Sequence, residues 1–155
     1  MATDFLYGTR GSVVNLLTTE LNSLSGTAGT LTGFGPAITP GTTYASRFQW
    51  CDLWLKIASS SGAYTSASFV NVYFVTALDG SNYPKLSGNN LAKANYFAAS
   101  IAIYPATLSA EVIYEGKARV RLPNAPFKTV LENQTAVAFP ASGNTLDAYP
   151  QADQY

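Results

Sequence analysis

Residues Tyr44–Ile57 read YASRFQWCDLWLKI and carry the clearest structural pattern in the chain. One parity of this stretch is mostly apolar and consists of Gln49, Cys51, Leu53, Leu55 and Ile57. The other parity mixes aromatic and charged groups and consists of Phe48, Trp50, Asp52, Trp54 and Lys56. Because successive side chains of a strand point to opposite faces of a sheet, the alternation predicts a β-strand with one face in the core.

The two tryptophans of this strand, Trp50 and Trp54, have three possible roles. They could belong to a second buried face, to a subunit interface, or to a platform on which sugar rings stack. Tryptophan and tyrosine are enriched at interfaces because they bury a large area and keep a polar group available. We expect a core or interface role, with the sugar platform as the alternative.

Further strands are predicted on both sides of this stretch. In Ala67–Leu78 both parities are largely apolar, which indicates a central strand covered on both faces. Other strands are expected at 12–18, 96–104, 110–115, 117–122, 127–133, 135–139 and 144–149, and one helical turn within Leu86–Ala94. The segment 25–43 is rich in Ser, Thr and Gly and is expected to be a long surface loop or arm. Short strands separated by Gly and Pro turn signals are typical of an all-β sandwich or barrel.

The stretch Lys117–Leu122 alternates between basic and apolar side chains. Lys117, Arg119 and Arg121 lie on one side of the predicted strand, and the apolar residues lie on the other. One interpretation is a solvated outer face. The other is a contact stripe for an acidic surface of a partner.

The composition excludes several classes of function. The chain has 155 residues, nine basic and nine acidic side chains, no histidine and one cysteine. Its charged fraction is 12%, compared with about 25% in an average soluble domain. A neutral chain lacks the field that attracts nucleic acid or an anionic membrane, so we expect neither partner. The length predicts a single domain spanning residues 1–155.

No catalytic or metal-binding motif emerges from the sequence. Without histidine, the Ser-His-Asp and Cys-His arrangements cannot form, and there is no phosphate-binding glycine loop. Asp79–Asn82 (DGSN) faintly resembles a calcium loop but lacks the further carboxylates, so a tight turn is expected. Cys51 has no partner for an internal disulfide and is expected to be a buried, inert thiol. We therefore predict no enzyme activity, no catalytic residue, no metal site and no cofactor.

The start of the chain, Met1–Gly8, has no basic segment followed by an apolar one, so a signal peptide is not expected. Every strongly apolar stretch is much shorter than the ~18 residues that a transmembrane helix needs. We expect synthesis in the cytoplasm.

Several motifs along the chain carry a resemblance to a known family. They are Asp4–Gly8, Tyr44 with Asp52–Trp54, Val72–Phe74 with Leu78–Pro84, Leu122–Pro123 with Phe127–Lys128, Leu131–Thr135 and Ala141–Leu146. In this order and spacing, the chain resembles a family of small proteins that decorate or cement the capsids of tailed bacteriophages. The resemblance implies a jelly-roll-like antiparallel β-sandwich that binds the outside of a capsid and stabilises the head. It also implies the major capsid protein as partner, self-association into a homo-oligomer, a location on the virion surface, and no catalytic residues.

The residues expected to contact a partner fall into three groups. An N-terminal arm of about residues 1–11 and a tail of about residues 148–155 could each lie across a neighbour, or be frayed termini. The candidates are Phe5, Tyr7 and Arg10 in the arm; Trp50, Trp54, Lys117, Arg119 and Arg121 on the strands; and Tyr149 and Tyr155 in the tail. The alternative functions are a tail, neck or host-facing adhesion component of the virion, and a carbohydrate-binding module.

Overall fold

The structure is a computed structural model, and it describes residues 12–39, 48–58, 64–65, 67–79, 81–86, 92–108 and 111–152. These residues form two antiparallel β-sheets, with a short 3₁₀ turn at Thr19–Leu21 and a helix α1 at Ala92–Tyr96. The strands are β1 (Val14–Leu17), β2 (Thr30–Leu31), β3 (Ala37–Ile38), β4 (Phe48–Ile57), β5 (Phe69–Thr76), β6 (Phe97–Ala102), β7 (Tyr104–Leu108), β8 (Glu111–Arg121), β9 (Phe127–Asn133) and β10 (Thr145–Ala152). The prediction of an all-β sandwich is confirmed.

The order of the strands gives the sandwich its topology. Sheet I has the order β1-β10-β4-β8-β7, and sheet II has the order β2-β9-β5-β6 with β3 also paired to β9. Early strands pair with late strands in nested order: β1 with β10, β2 and β3 with β9, β4 with β8, and β5 with β6. Nested antiparallel pairs shared between two packed sheets form a jelly roll, which confirms the jelly-roll-like sandwich.

The core lies between the two sheets and follows the predicted parity of β4. Cys51, Leu53, Leu55 and Ile57 are fully buried in it. Burial, with a smaller contribution from the charge of Asp52, raises the pKa of the Cys51 thiol to about 12. The prediction of a buried thiol is confirmed, because Cys51 is free and fully buried in the core.

Strand β5 is covered on both faces, as its sequence predicts. Its inward side chains, Val70, Val72 and Phe74, belong to the central core. On its outward face, Tyr73 and Val75 form a second buried cluster with Leu86 and Val130. The second cluster exists because residues of the segments 31–34 and 83–86 pack over the outside of sheet II.

The strand predicted at 96–104 divides between the two sheets. Strand β6 belongs to sheet II and β7 to sheet I, and the chain changes sheet at Ile103, which is buried. The helical turn expected within Leu86–Ala94 occurs later, at Ala92–Tyr96, directly before β6.

The break predicted between 110–115 and 117–122 is wrong, because β8 runs without interruption from Glu111 to Arg121. A Cβ atom at Gly116 would lie less than 3.0 Å from both Ile101 Cγ2 and the carbonyl oxygen of Ala102. Glycine is therefore present because β6 crosses closely over β8 at this point, and not because the chain turns.

Two other predicted boundaries need correction. Residues 135–139 form bends and no strand, because the Asn133 side chain bonds locally to the Thr135 N–H at 2.9 Å and to the Val137 carbonyl at 3.0 Å. Side-chain bonds of this kind compete with the pairing of strands. The segment 25–43, expected to be a surface loop, contributes β2 and β3 to sheet II.

The segment expected to be a tail begins inside the sandwich. Residues 148–152 belong to β10, which lies between β1 and β4 in sheet I, and Ala148 is buried in the core. Residues 153–155 and the expected arm, residues 1–11, lie outside the described residues. Within the described part of the chain, no helix is long and apolar enough to cross a membrane.

Candidate functional site

The outer face of sheet I brings together side chains from three adjacent strands, β10, β4 and β8. The register aligns them in three rows, which are Tyr149, Asp52 and Arg119; Asp147, Trp54 and Lys117; and Gln151, Trp50 and Arg121. We call these nine residues the outer-face cluster. Six of the ten predicted contact residues belong to it: Trp50, Trp54, Lys117, Arg119, Arg121 and Tyr149. The other four, Phe5, Tyr7, Arg10 and Tyr155, lie outside the described residues.

The two tryptophans of the cluster are partly exposed. Trp50 is 38% exposed and Trp54 is 37% exposed. The possibility that they form a second buried face is therefore wrong, because more than a third of each side chain is exposed. A subunit interface and a sugar platform remain as the two interpretations.

Trp54 is held in place by side chains from the strands on both sides. Its indole Nε1–H donates a hydrogen bond to Glu115 Oε2 at 3.1 Å. The Lys117 ammonium lies 4.5 Å from its ring centroid, and the Tyr149 ring lies 5.8 Å away at an interplanar angle of 39°. A side chain fixed in this way loses little conformational entropy when a partner covers it.

Asp52 organises the middle row of the cluster. Its carboxylate accepts hydrogen bonds from Arg119 Nε at 2.7 Å and Arg119 Nη2 at 3.2 Å, and from Gln151 Nε2 at 3.0 Å. The arginine contact is bidentate, which fixes the orientation of both side chains. Asp52 thus positions one side chain from each of the two neighbouring strands.

Two of the three positive charges on the outward face of β8 are paired with carboxylates of the same chain. Arg119 pairs with Asp52, and the Lys117 ammonium lies 3.7 Å from Glu115 Oε1. Arg121 forms no ion pair with any carboxylate in the described part of the chain. The face that the sequence predicts to be basic is therefore close to neutral at Lys117 and Arg119.

A shallow groove of about 510 Å³ runs across the cluster, and Asp52, Trp54, Lys117, Arg119 and Tyr149 line it. Three residues that the sequence analysis did not select as contacts complete its hydrogen bonding, and they are Asp52, Glu115 and Gln151. Glu115 shares a parity with Lys117, which is a signal that the sequence contains. Gln151 carries no such signal, because its contact with Asp52 exists only through the pairing of β10 with β4.

At the turn predicted at Asp79–Asn82, Gly80 lies outside the described residues, and the carboxylate of Asp79 bonds to residues 81 and 82. This carboxylate accepts hydrogen bonds from the backbone N–H groups of Asn82 at 2.7 Å and Ser81 at 3.0 Å. These bonds hold the pKa of Asp79 well below its usual range. Among the residues that the structure describes, no group of three or more His, Cys, Asp or Glu side chains could hold a metal ion.

No protein-family model, curated protein or solved structure matches this chain. The outer-face cluster is therefore interpreted from its own geometry.

Proposed function

We propose that this protein is a virion structural protein that binds the outside of a bacteriophage capsid through the outer-face cluster. It acts there as a decoration or cement protein that stabilises the head, with the major capsid protein as its partner and with self-association between copies. The observation that carries the binding role is the exposed and rigidly held Trp54. The capsid itself is proposed from the family that the sequence resembles.

The composition of the cluster supports a protein partner. Tryptophan, tyrosine and arginine dominate the binding energy of protein interfaces when they lie at the centre of a buried patch. Tyr149 and Arg119 lie in one row of the cluster, and Trp54 lies in the next row on the strand between them. Their contacts with Glu115, Lys117 and Asp52 exist before any partner arrives, so less order has to be created on binding.

The ion pairs at Arg119 and Lys117 suit burial of this part of the cluster against an uncharged surface. A charge that is buried without a partner costs several kcal/mol. Arg119 and Lys117 avoid this cost because they are already paired with the carboxylates of Asp52 and Glu115. Binding that relies on aromatic and paired groups depends little on salt, because screening acts mainly on exposed, separated charges. A cement protein also acts through many repeated contacts, so each interface can be modest.

The topology is compatible with the proposal but does not by itself give a function. Jelly rolls occur in viral capsid domains and also in lectin domains, and one fold hosts many functions.

The proposal is tested with phage heads assembled without this protein. Purified protein is added, and we expect it to co-sediment with the heads and to raise their resistance to heat and to osmotic shock. Trp54→Ala should weaken binding by about 30-fold, which corresponds to a loss of about 2 kcal/mol at an interface hot spot. Binding of the unaltered protein should change by less than about threefold between about 50 and 500 mM NaCl.

Phe69→Ala is the matched control. Phe69 is 39% exposed, slightly more than Trp54 at 37%, but it lies on the outer side of sheet II. It should bind as the unaltered protein does. If the heads take up none of the protein, the cement role is wrong. If both variants bind equally well, the outer-face cluster is not the contact.

A head location is separated from a tail, neck or host-facing location by immunogold labelling of intact particles. Label on the capsid supports the proposal, and label confined to the tail contradicts it.

A carbohydrate-binding module is the second candidate, because the groove holds both an indole and a phenol ring. However, the Lys117 ammonium and the Tyr149 ring already contact the Trp54 ring, at 4.5 Å and 5.8 Å from its centroid, so both compete with a sugar for stacking on it. A glycan array with Trp50→Ala and Trp54→Ala distinguishes the two functions. Specific glycan binding that either change abolishes without loss of folding would favour the carbohydrate role.

A further inference from the structure

A second concavity, of about 410 Å³, lies at one end of the sandwich and shares no lining residue with the groove of the outer-face cluster. The end of β5, the end of α1 with the start of β6, and the end of β8 with the residues after it form its walls. Its size falls within the range of about 300–1,000 Å³ that is usual for small-molecule sites. The residues that bear on its chemistry are Thr76, Asn95, Phe97, Arg121 and Asn124.

Arg121 is the only charged side chain among the described residues that line this pocket. It forms no ion pair with a carboxylate in the described part of the chain, whereas Arg119, two residues earlier on the same strand, is held by Asp52. A guanidinium group without a carboxylate partner is suited to a bidentate contact with a ligand carboxylate. One cation balances a monoanion better than it balances a phosphate dianion.

The remaining groups of the pocket are polar and aromatic. Asn95 and Asn124 each carry a donor and an acceptor, and Thr76 carries a hydroxyl group. Phe97 is 51% exposed, and an edge contact with the Tyr73 ring, at 6.1 Å between centroids, supports it. Carboxamides beside an exposed apolar ring suit a ligand that has hydroxyl groups and an apolar C–H face, which is the chemistry of a sugar ring.

We propose that this pocket binds a sugar that carries a carboxylate. Arg121 pairs with the carboxylate, Asn95 and Asn124 bond to hydroxyl groups, and Phe97 packs against the C–H face of the ring. The pocket is distinct from the groove of the outer-face cluster, since the two concavities have no lining residue in common, and Arg121 is the one residue that belongs to both the cluster and the pocket.

The test uses ¹⁵N-labelled full-length protein titrated with sodium glucuronate and followed by amide chemical shifts. We expect saturable shifts at the amides of residues 95–98, 121, 122 and 124, with a Kd of about 1 mM. Arg121→Gln should raise this Kd by about tenfold or more, because a charge-assisted contact is lost. Glucose, which has no carboxylate, should bind at least about tenfold more weakly.

Lys117→Gln is the matched control, since it removes a cation from the same outward face of β8 but outside the pocket. This variant should bind glucuronate as the unaltered protein does. Arg121 is exposed, so Arg121→Gln should keep the amide spectrum of the folded protein. The proposal is overturned if these amides show no saturable shift or if Arg121→Gln binds with unchanged Kd. It is also overturned if glucose binds as tightly as glucuronate, which removes the role of the carboxylate. If acetate binds as tightly, the role of the sugar ring is removed and the proposal fails.

Discussion

Replacing Gly116 by alanine tests the close crossing of the two sheets directly. Gly116 lies inside β8, and a Cβ atom there would approach Ile101 Cγ2 and the Ala102 carbonyl oxygen to less than 3.0 Å. Ile101 is fully buried, and the second contact is a backbone atom, so neither neighbour can move aside easily. The added methyl group must therefore push β8 and β6 apart.

The size of the effect follows from the cost of overpacking. Inserting a methyl group into a packed core costs about 1–3 kcal/mol. Because a chain of this length loses about 2–4 °C of Tm for each kcal/mol, we expect Gly116→Ala to lower Tm by about 2–12 °C. Differential scanning calorimetry measures the shift in Tm, and chemical denaturation measures the loss in the free energy of unfolding.

Gly33→Ala is the matched control, since a Cβ atom at Gly33 has no neighbour within 4 Å. A glycine replaced by alanine without a clash stabilises a protein by about 0.4–1 kcal/mol, through the entropy of the unfolded chain. Gly33→Ala should therefore unfold at the same temperature as the unaltered protein or slightly above it. If Gly116→Ala and Gly33→Ala show the same Tm, the argument for a close crossing at Gly116 is refuted.

Two further predictions concern titratable groups outside the outer-face cluster. Tyr73→Phe should lower the free energy of unfolding by about 1–3 kcal/mol, because the carboxylate of Glu132, which is 4% exposed, loses a hydrogen bond of 2.6 Å from the phenol. Urea unfolding measures this loss, and an equal loss in the control variant Tyr83→Phe would contradict the prediction. The backbone N–H of Asn82 has the largest effect in lowering the pKa of Asp79. The ionised carboxylate therefore stabilises the fold at pH values above its unfolded pKa of about 3.9, and this stabilisation is lost as the pH falls through the lowered pKa of the folded state. NMR titration of the Asp79 carboxyl carbon should give a midpoint below about 3.9, and a midpoint at or above that value would disagree.

The sequence determines which side of each strand faces the core. In β4 the alternation alone separates Cys51, Leu53 and Leu55 from Trp50 and Trp54, and the structure places the two groups on opposite faces. This information is local, because a strand reverses its side chains at every residue whatever lies beside it. The same reasoning predicts that the basic residues of β8 lie on one outward face and that both faces of β5 are covered, and the structure agrees.

Only the tertiary structure decides which strands are neighbours. The Trp54–Glu115 hydrogen bond joins residues 61 positions apart, and the Arg119–Asp52 pair joins residues 67 positions apart. Register between distant strands depends on the packing of whole sheets, so no local pattern shows that Arg119 has Asp52 as its carboxylate partner or that Trp54 bonds to Glu115.

Gly116 is a second case in which the local sequence does not show the role of a residue. In sequence a glycine between two strand-like runs indicates a turn, yet here it allows another strand to approach. The physical reason is that steric space, unlike the alternation of side chains, is a property of two segments that the fold has brought together.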